Sequence, residues 1–197
     1  MLMALTSVLS TYEDERATIV RGLRRRGGET LDWLIERYQH RLFRYLVHLT
    51  SQRDLAEEIF QDTWVRVLER GHLYDGRVPF IAWLLTVARN LTVDWLRRRR
   101  PESLDALMAP ESDVMPLDLP ATAPSPFDAL AAAEQSGHLA AALERVPVLF
   151  REVLLLRFRE ELSLDEIATV VGVPLATAKS RLYRGLRALT TQFAGVS

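Results

Sequence analysis

The 197 residues include no cysteine, which excludes disulfides, thiolate zinc sites and a thiol nucleophile. Four histidines, His40, His48, His72 and His138, are scattered and lack carboxylates at ligand spacing, so no metal centre is expected. Nothing in the chain resembles paired carboxylates in a cleft, a catalytic triad or a phosphate-binding glycine loop. Neither catalysis nor a cofactor is expected. Long hydrophobic runs are also missing. No stretch approaches the ~20 apolar residues needed to cross a bilayer. Met1 to Leu9 is too short an apolar run, and lacks the basic start of a secretion signal. These absences lead us to expect a cytoplasmic protein without membrane insertion. Strand-like alternation persists nowhere, and an excess of either charge is lacking: 25 Lys and Arg against 26 Asp and Glu give a net charge of −1.

What is present is segregated. Hydrophobic residues make up 48% of the chain, enough for a packed core, and the length suits one ordinary domain or two small ones. Residues 101–128 hold six acids (Glu102, Asp105, Glu111, Asp113, Asp118 and Asp128), six of the nine prolines, and no Lys or Arg. Proline fixes φ and removes backbone donors, so this stretch reads as a linker, bounded at 101–126. Residues 174–197 carry Lys179, Arg181, Arg184 and Arg187 and no acid, and Arg97 to Arg100 form a run of four. On charge alone, such runs are as readily solvated faces as binding patches.

Helical periodicity dominates the rest. Leu31, Leu34, Ile35, Tyr38, Leu42, Tyr45, Leu46 and Leu49 form one apolar stripe. Before it, residues 1–28 read as an N-terminal extension with a short helix around Glu13 to Arg25. A second helix is expected from Asp54, where Asp54 and Glu57 have capping-box spacing, to Gly71. Ala56, Ile59, Phe60, Thr63, Trp64 and Val67 would line its inner side. A loop from Gly71 to Pro79 leads to a third helix ending near Arg99. Its expected buried face is Phe80, Leu84, Val87, Ala88, Leu91 and Trp95. Beyond the linker, helical pattern runs over Phe127 to Arg145. It resumes at Pro147, in the favoured first-turn position, with Val148, Phe150, Val153, Leu154 and Leu156 as its apolar residues.

Leu164 to Leu186 reads as a helix-turn-helix. Ser163 and Glu166 have capping-box spacing, Ile167, Ala168 and Val171 point inward, and Gly172 permits a left-handed turn before Pro174. Ala178, Leu182 and Leu189 would anchor the second helix. Thr177, Lys179, Ser180, Arg181 and Arg184 are then left on or near its outer face, where N-terminal side chains reach bases and cations hold phosphate. This points to duplex DNA without specifying the class of DNA-binding protein. The bland alternative is a helical hairpin in a bundle.

Two segments together resemble one family. Asp54-Leu-Ala-Glu-Glu-Ile-Phe-Gln-Asp-Thr-Trp-Val-Arg-Val, followed by Phe80 to Arg100, is similar to the second conserved region of extracytoplasmic-function sigma factors. Arg151-Glu-Val-Leu-Leu-Leu-Arg-Phe, Leu162-Ser-Leu-Asp-Glu-Ile-Ala and Gly172-Val-Pro-Leu-Ala-Thr-Ala-Lys-Ser-Arg-Leu are similar to the fourth. The resemblance implies an all-α fold of two small domains, at 29–100 and 127–197, around the linker. It implies an alternative sigma factor that binds core RNA polymerase, at the largest-subunit clamp coiled coil and the flap. The chain would direct polymerase to promoter DNA, help melt the minus-ten region, and be held inactive by an anti-sigma factor. It assigns Glu57, Glu58, Gln61, Asp62 and Arg66 to polymerase; without it they read as a solvated helix face. It assigns His72, Tyr74, Asp75, Arg77, Arg89, Asn90, Asp94, Arg97 and Arg98 to the melted minus-ten strand, where a flipped base would enter the 70–79 loop. Trp83 and Trp95 read as core. Thr177, Lys179, Ser180, Arg181, Arg184 and Arg187 fall to the minus-thirty-five duplex, with Arg184 and Arg187 on phosphate.

This sequence departs from the family in three ways. About 28 residues precede the first matched helix, Ala176 and Ala178 stand where many members have glycine and valine, and no zinc-binding or large C-terminal extension is present. Two rival readings are a regulator that binds duplex DNA alone and a sigma-like decoy that titrates an anti-sigma factor. The regulator would not need the Asp54 to Arg70 surface. The decoy would not need basic residues in its recognition helix.

Overall fold

The computed structural model describes residues 14–99 and 139–194, which are helical apart from short turns. The expected linker, and residues 127–138 of the helix expected after it, lie outside the described residues. The chain forms two compact units that divide between Thr92 and Val93.

In the first unit, residues 14–24 form helix α1, within the stretch where a short helix is expected. Helix α2 follows over Gly28–Thr50 and buries Leu34, Tyr38, Leu42, Tyr45, Leu46 and Leu49. The stripe is thus the expected one, with Leu31 and Ile35 half-buried at its margin. Helix α3 spans Arg53–Arg70 and packs on α2, burying Leu55, Ala56, Ile59, Thr63, Trp64 and Val67. Its start corrects the expected cap. Gln52 is the N-cap and makes no side-chain cap bond. Glu57, one turn in, is instead engaged by Arg53 at 3.0 Å. Gly71 ends α3 as expected, as its C-cap. Its φ is −57°, and the chain continues into a 3-10 turn over Gly71–Leu73.

Helix α4 spans Phe80–Arg99. Its buried face is rotated from the expected one. Phe80, Leu84 and Ala88 are buried as expected, but so are Ile81, Ala82, Leu85, Arg89 and Thr92. Val87, Leu91 and Trp95 are only half-buried. Apolar residues surround most of this helix, so periodicity alone could not choose the inward side.

In the second unit, helix α5 covers Leu139–Arg145 and helix α6 covers Val148–Leu154. Pro147 stands one position earlier than expected, as the N-cap, and its carbonyl accepts from the Phe150 and Arg151 amides. Helix α6 runs into a π-helical turn, Leu155–Arg159, whose wider winding shows in the Glu160 amide donating to Leu155 O at 3.1 Å. Burial is continuous from Arg151 through Leu156, across the junction of α6 and the π turn. Helix α7, Leu164–Val171, opens with the expected capping box: Ser163 Oγ accepts from the Glu166 amide, and Glu166 accepts from the Ser163 amide. Gly172 turns the chain at φ 70°, and helix α8 runs over Leu175–Ala194, packing on α6 and α7.

Candidate nucleic-acid interface

The polar side of α3 is open to solvent. Glu57, Glu58, Gln61 and Asp62 are exposed and Arg66 is half-buried, with Glu69 4.0 Å from its Nε. Two apolar residues share that side: Val65 is 54% exposed and Leu68 55%. Both lie out of phase with the Ala56–Ile59–Thr63–Val67 stripe, a signal that helical register makes legible in the sequence. Two large apolar side chains thus stand in solvent beside acids.

Tyr74 is the one large side chain of the 71–79 loop that is fully buried. It is 1% exposed. Its ring meets Phe80 and Trp83 at 5.5 Å each, and Phe80 meets Tyr38 of α2 at 5.3 Å. The Tyr74 hydroxyl donates to Val78 O at 2.7 Å. Burial pushes this hydroxyl up to about 12, with the Arg16 charge pulling the other way and Tyr38, Asp75 and Glu15 adding to the rise. Tyr74 is therefore an anchor of the loop, with no surface to offer a base. The aromatic cluster keeps Trp83 half-buried, close to its expected core role. His72, Leu73, Asp75 and Arg77 are left outside. Asp75 accepts from the Arg77 amide at 3.0 Å and pairs with its guanidinium at 3.1 Å, shaping the turn. Leu73, 64% exposed, was not foreseen, because an apolar residue beside Tyr74 reads as core.

On α4, Asn90, Asp94, Arg97 and Arg98 are exposed and recur at three- and four-residue steps, so they share a side. Asp94 lies 4.0 Å from Arg97. Arg89 does not join them. It follows Leu85 by four residues and precedes Thr92 by three, which places it on the buried stripe, 8% exposed.

On α8, Lys179 and Arg187 are exposed, and Thr177, Ser180 and Arg184 are half-buried. Arg181 departs from the expected outer face at 5% exposure. It follows Ala178 by three residues, and Ala178, Leu182, Leu186 and Leu189 form the buried stripe. Arg151, Glu152 and Glu160 are buried in the same unit, and none of these charges is without a partner. Burial lowers the Arg151 guanidinium from its ordinary value, with Glu144 partly offsetting this. The outer face instead presents Tyr183, 37% exposed, between Lys179 and Arg187 at four-residue steps. That spacing was readable. Ala168, expected to point inward, is half-buried, and Gly185 faces α6, where a Cβ would lie 3.0 Å from Leu154.

Among the described residues no group of His, Asp and Glu could hold a metal ion, and no helix is long and apolar enough to cross a membrane.

Two helical units, one carrying a helix-turn-helix, define a class, and comparison with known proteins identifies it. Residues 34–102 match the family model of Sigma-70 region 2, and residues 137–189 match Sigma-70, region 4. The ECF RNA polymerase sigma factor SigW of Bacillus subtilis (strain 168) is 30% identical over 161 residues, covering 81% of this chain and 86% of its own. The ECF RNA polymerase sigma factor RpoE of Cereibacter sphaeroides is 30% identical over 151 residues, covering 76% and 78%. The chain belongs to the ECF RNA polymerase sigma factors. It is an alternative sigma factor, binding core RNA polymerase and promoter DNA. Its fold is that of the sigma factor RpoE from Bartonella quintana, solved with the anti-sigma factor NepR: TM-score 0.60, 21% identity, 83% of this chain and 96% of that one. CnrH, solved with the cytosolic domain of CnrY, gives 0.62 at 19% identity, over 91% and 97%.

Proposed function

We propose that four surfaces divide the work of a promoter-specific initiation subunit. The α3 side, with Glu57, Glu58, Gln61, Asp62, Arg66, Val65 and Leu68, docks on the clamp coiled coil of core polymerase. The outward edge of the 71–79 loop, with His72, Leu73, Asp75 and Arg77, receives a flipped base of the melted minus-ten strand. Asn90, Asp94, Arg97 and Arg98 on α4 hold that strand. Lys179, Ser180, Thr177, Tyr183, Arg184 and Arg187 meet the minus-thirty-five duplex. Tyr74, Arg89 and Arg181 serve from the interior, positioning these groups without touching DNA. The chain carries out no catalysis itself. It works in the cytoplasm under an anti-sigma factor, the kind of partner with which RpoE of Bartonella quintana was solved.

The observation that carries this reading is the uncovered apolar pair Val65 and Leu68 beside Gln61 and Asp62. A chain acting alone on duplex DNA needs no such surface. The test mixes the chain with bacterial core polymerase and maps transcripts from fragmented genomic DNA of its source. New start sites sharing two upstream elements are expected. Gln61→Lys with Asp62→Lys should abolish them and weaken core binding at least ~10-fold, as like charge and lost contact at an interface do. Core binding without transcripts would indicate a decoy. Tight duplex binding without core binding would overturn the proposal.

A further inference from the structure

The 71–79 loop has few bonds of its own. Beyond the Tyr74 hydroxyl and the Asp75 turn, the Tyr74 amide donates to Gly71 O at 2.9 Å. Its inner edge is glycine at two points, and α1 covers both. A Cβ on Gly71 would lie 3.0 Å from Leu23 Cδ2, and one on Gly76 would lie 3.2 Å from Val20 Cγ2. Gly71 has ordinary right-handed helical dihedrals, φ −57° and ψ −27°. Its backbone therefore does not demand glycine, whereas Leu23 does. Gly76, at φ 79°, demands glycine on both counts.

Helix α1 is fixed in turn to α2. Glu15 pairs with Arg37 at 3.2 Å, and a Cβ on Gly22 would overlap the Thr30 side chain. Arg37 lies over the Trp33 ring at 5.4 Å and the Tyr38 ring at 5.8 Å. Ile19 and Leu23 are buried. The loop, whose His72, Leu73 and Arg77 are exposed, is thus backed at its two glycines by a helix that precedes the matched Sigma-70 region 2 at residue 34.

We infer that α1 is a brace for promoter reading: Val20 and Leu23 are positioning residues that hold the 71–79 loop in the shape that discriminates bases of the minus-ten element. This rests on the assignment of that loop to the minus-ten strand. A base pocket tolerates little misplacement, because reach and orientation both enter its selectivity.

The test uses the full chain with core polymerase. Open complexes are counted on a mapped promoter and on copies with single-base changes in the minus-ten element. Leu23→Ala should reduce the cognate-to-changed ratio about 10-fold by leaving a void behind the loop, with core affinity unchanged. Gly71→Ala should reduce it too, by pushing against Leu23. The double variant should regain most of the ratio, because the new methyl fills space the leucine vacated; such non-additivity marks direct contact. Recovery in the double variant cannot come from a chain that fails to fold. Single variants that leave the ratio unchanged while Arg77→Ala alters it would overturn the brace alone. Losses that simply add in the double variant would overturn it too. If Arg77→Ala also leaves the ratio unchanged, the loop assignment falls and the brace falls with it.

Discussion

Tyr74 shows how one side chain converts burial into placement. Its ring sits among Tyr38, Phe80 and Trp83, and its hydroxyl serves the Val78 carbonyl. Tyr74→Phe should cost about 1 kcal/mol, the usual worth of such a bond plus the carbonyl left unserved. The hydroxyl is raised from 10.0 to about 12 in the folded chain, so the folded state holds this proton more tightly than the unfolded one. Its contribution is full below pH 10, shrinks between 10 and 12, and is gone above. Urea melts of both forms across that range should show their stability difference narrowing. A difference unchanged at high pH would mean the hydroxyl is not what matters. The family resemblance assigns Tyr74, with the rest of its loop, to the minus-ten strand. Only the rings arriving from α2 and α4 reveal an anchor, and those contacts are non-local.

At the scale of elements, the helix-turn-helix was the most legible part. The capping box at Ser163, the turn at Gly172 and the Ala178–Leu182–Leu189 anchors are all local patterns, and each is formed. Arg181, expected on or near the outer face of its helix, is buried, and Arg89, assigned through the family resemblance, is buried as well. The register puts each on a buried stripe, where long side chains can still keep polar partners. The π-helical turn at Leu155–Arg159 had no sequence signature. Two glycines distinguish backbone freedom from space. Gly172 has φ 70°, and a Cβ added there would meet nothing within 4 Å. Gly172→Ala should therefore cost about 1 kcal/mol through its backbone alone, and Gly172→Asn less. Gly185 lies in helix α8 and faces Leu154 at 3.0 Å and Phe150 O at 3.2 Å. Gly185→Ala should cost about 1–3 kcal/mol by overpacking. Thermal melts would rank the three, and Gly185→Ala should also weaken minus-thirty-five binding by shifting α8 on α6.

For the molecule as a whole, net charge is uninformative and distribution is everything. A chain at −1 keeps an acid-free stretch from 174 to 197 and a base-free one from 101 to 128. Both were plain in the sequence, since composition needs no fold to be read. Holoenzyme affinity for the minus-thirty-five duplex should therefore depend on salt through individual cations. Lys179→Ala and Arg187→Ala should each lower the slope of log affinity against log salt by about 1, and weaken all sequences alike. A changed base preference with an unchanged slope would place these residues on base edges instead.

The backing of Gly71 and Gly76 by Leu23 and Val20 bears on where such a protein can be cut and recombined. A graft that began at the matched boundary, residue 34, would carry every outward residue of the loop into its new host. It would leave behind α1 and the first turn of α2, so both glycines would face whatever the recipient supplied. Transplanted promoter preference should follow the donor faithfully only when the junction lies upstream of Asp14.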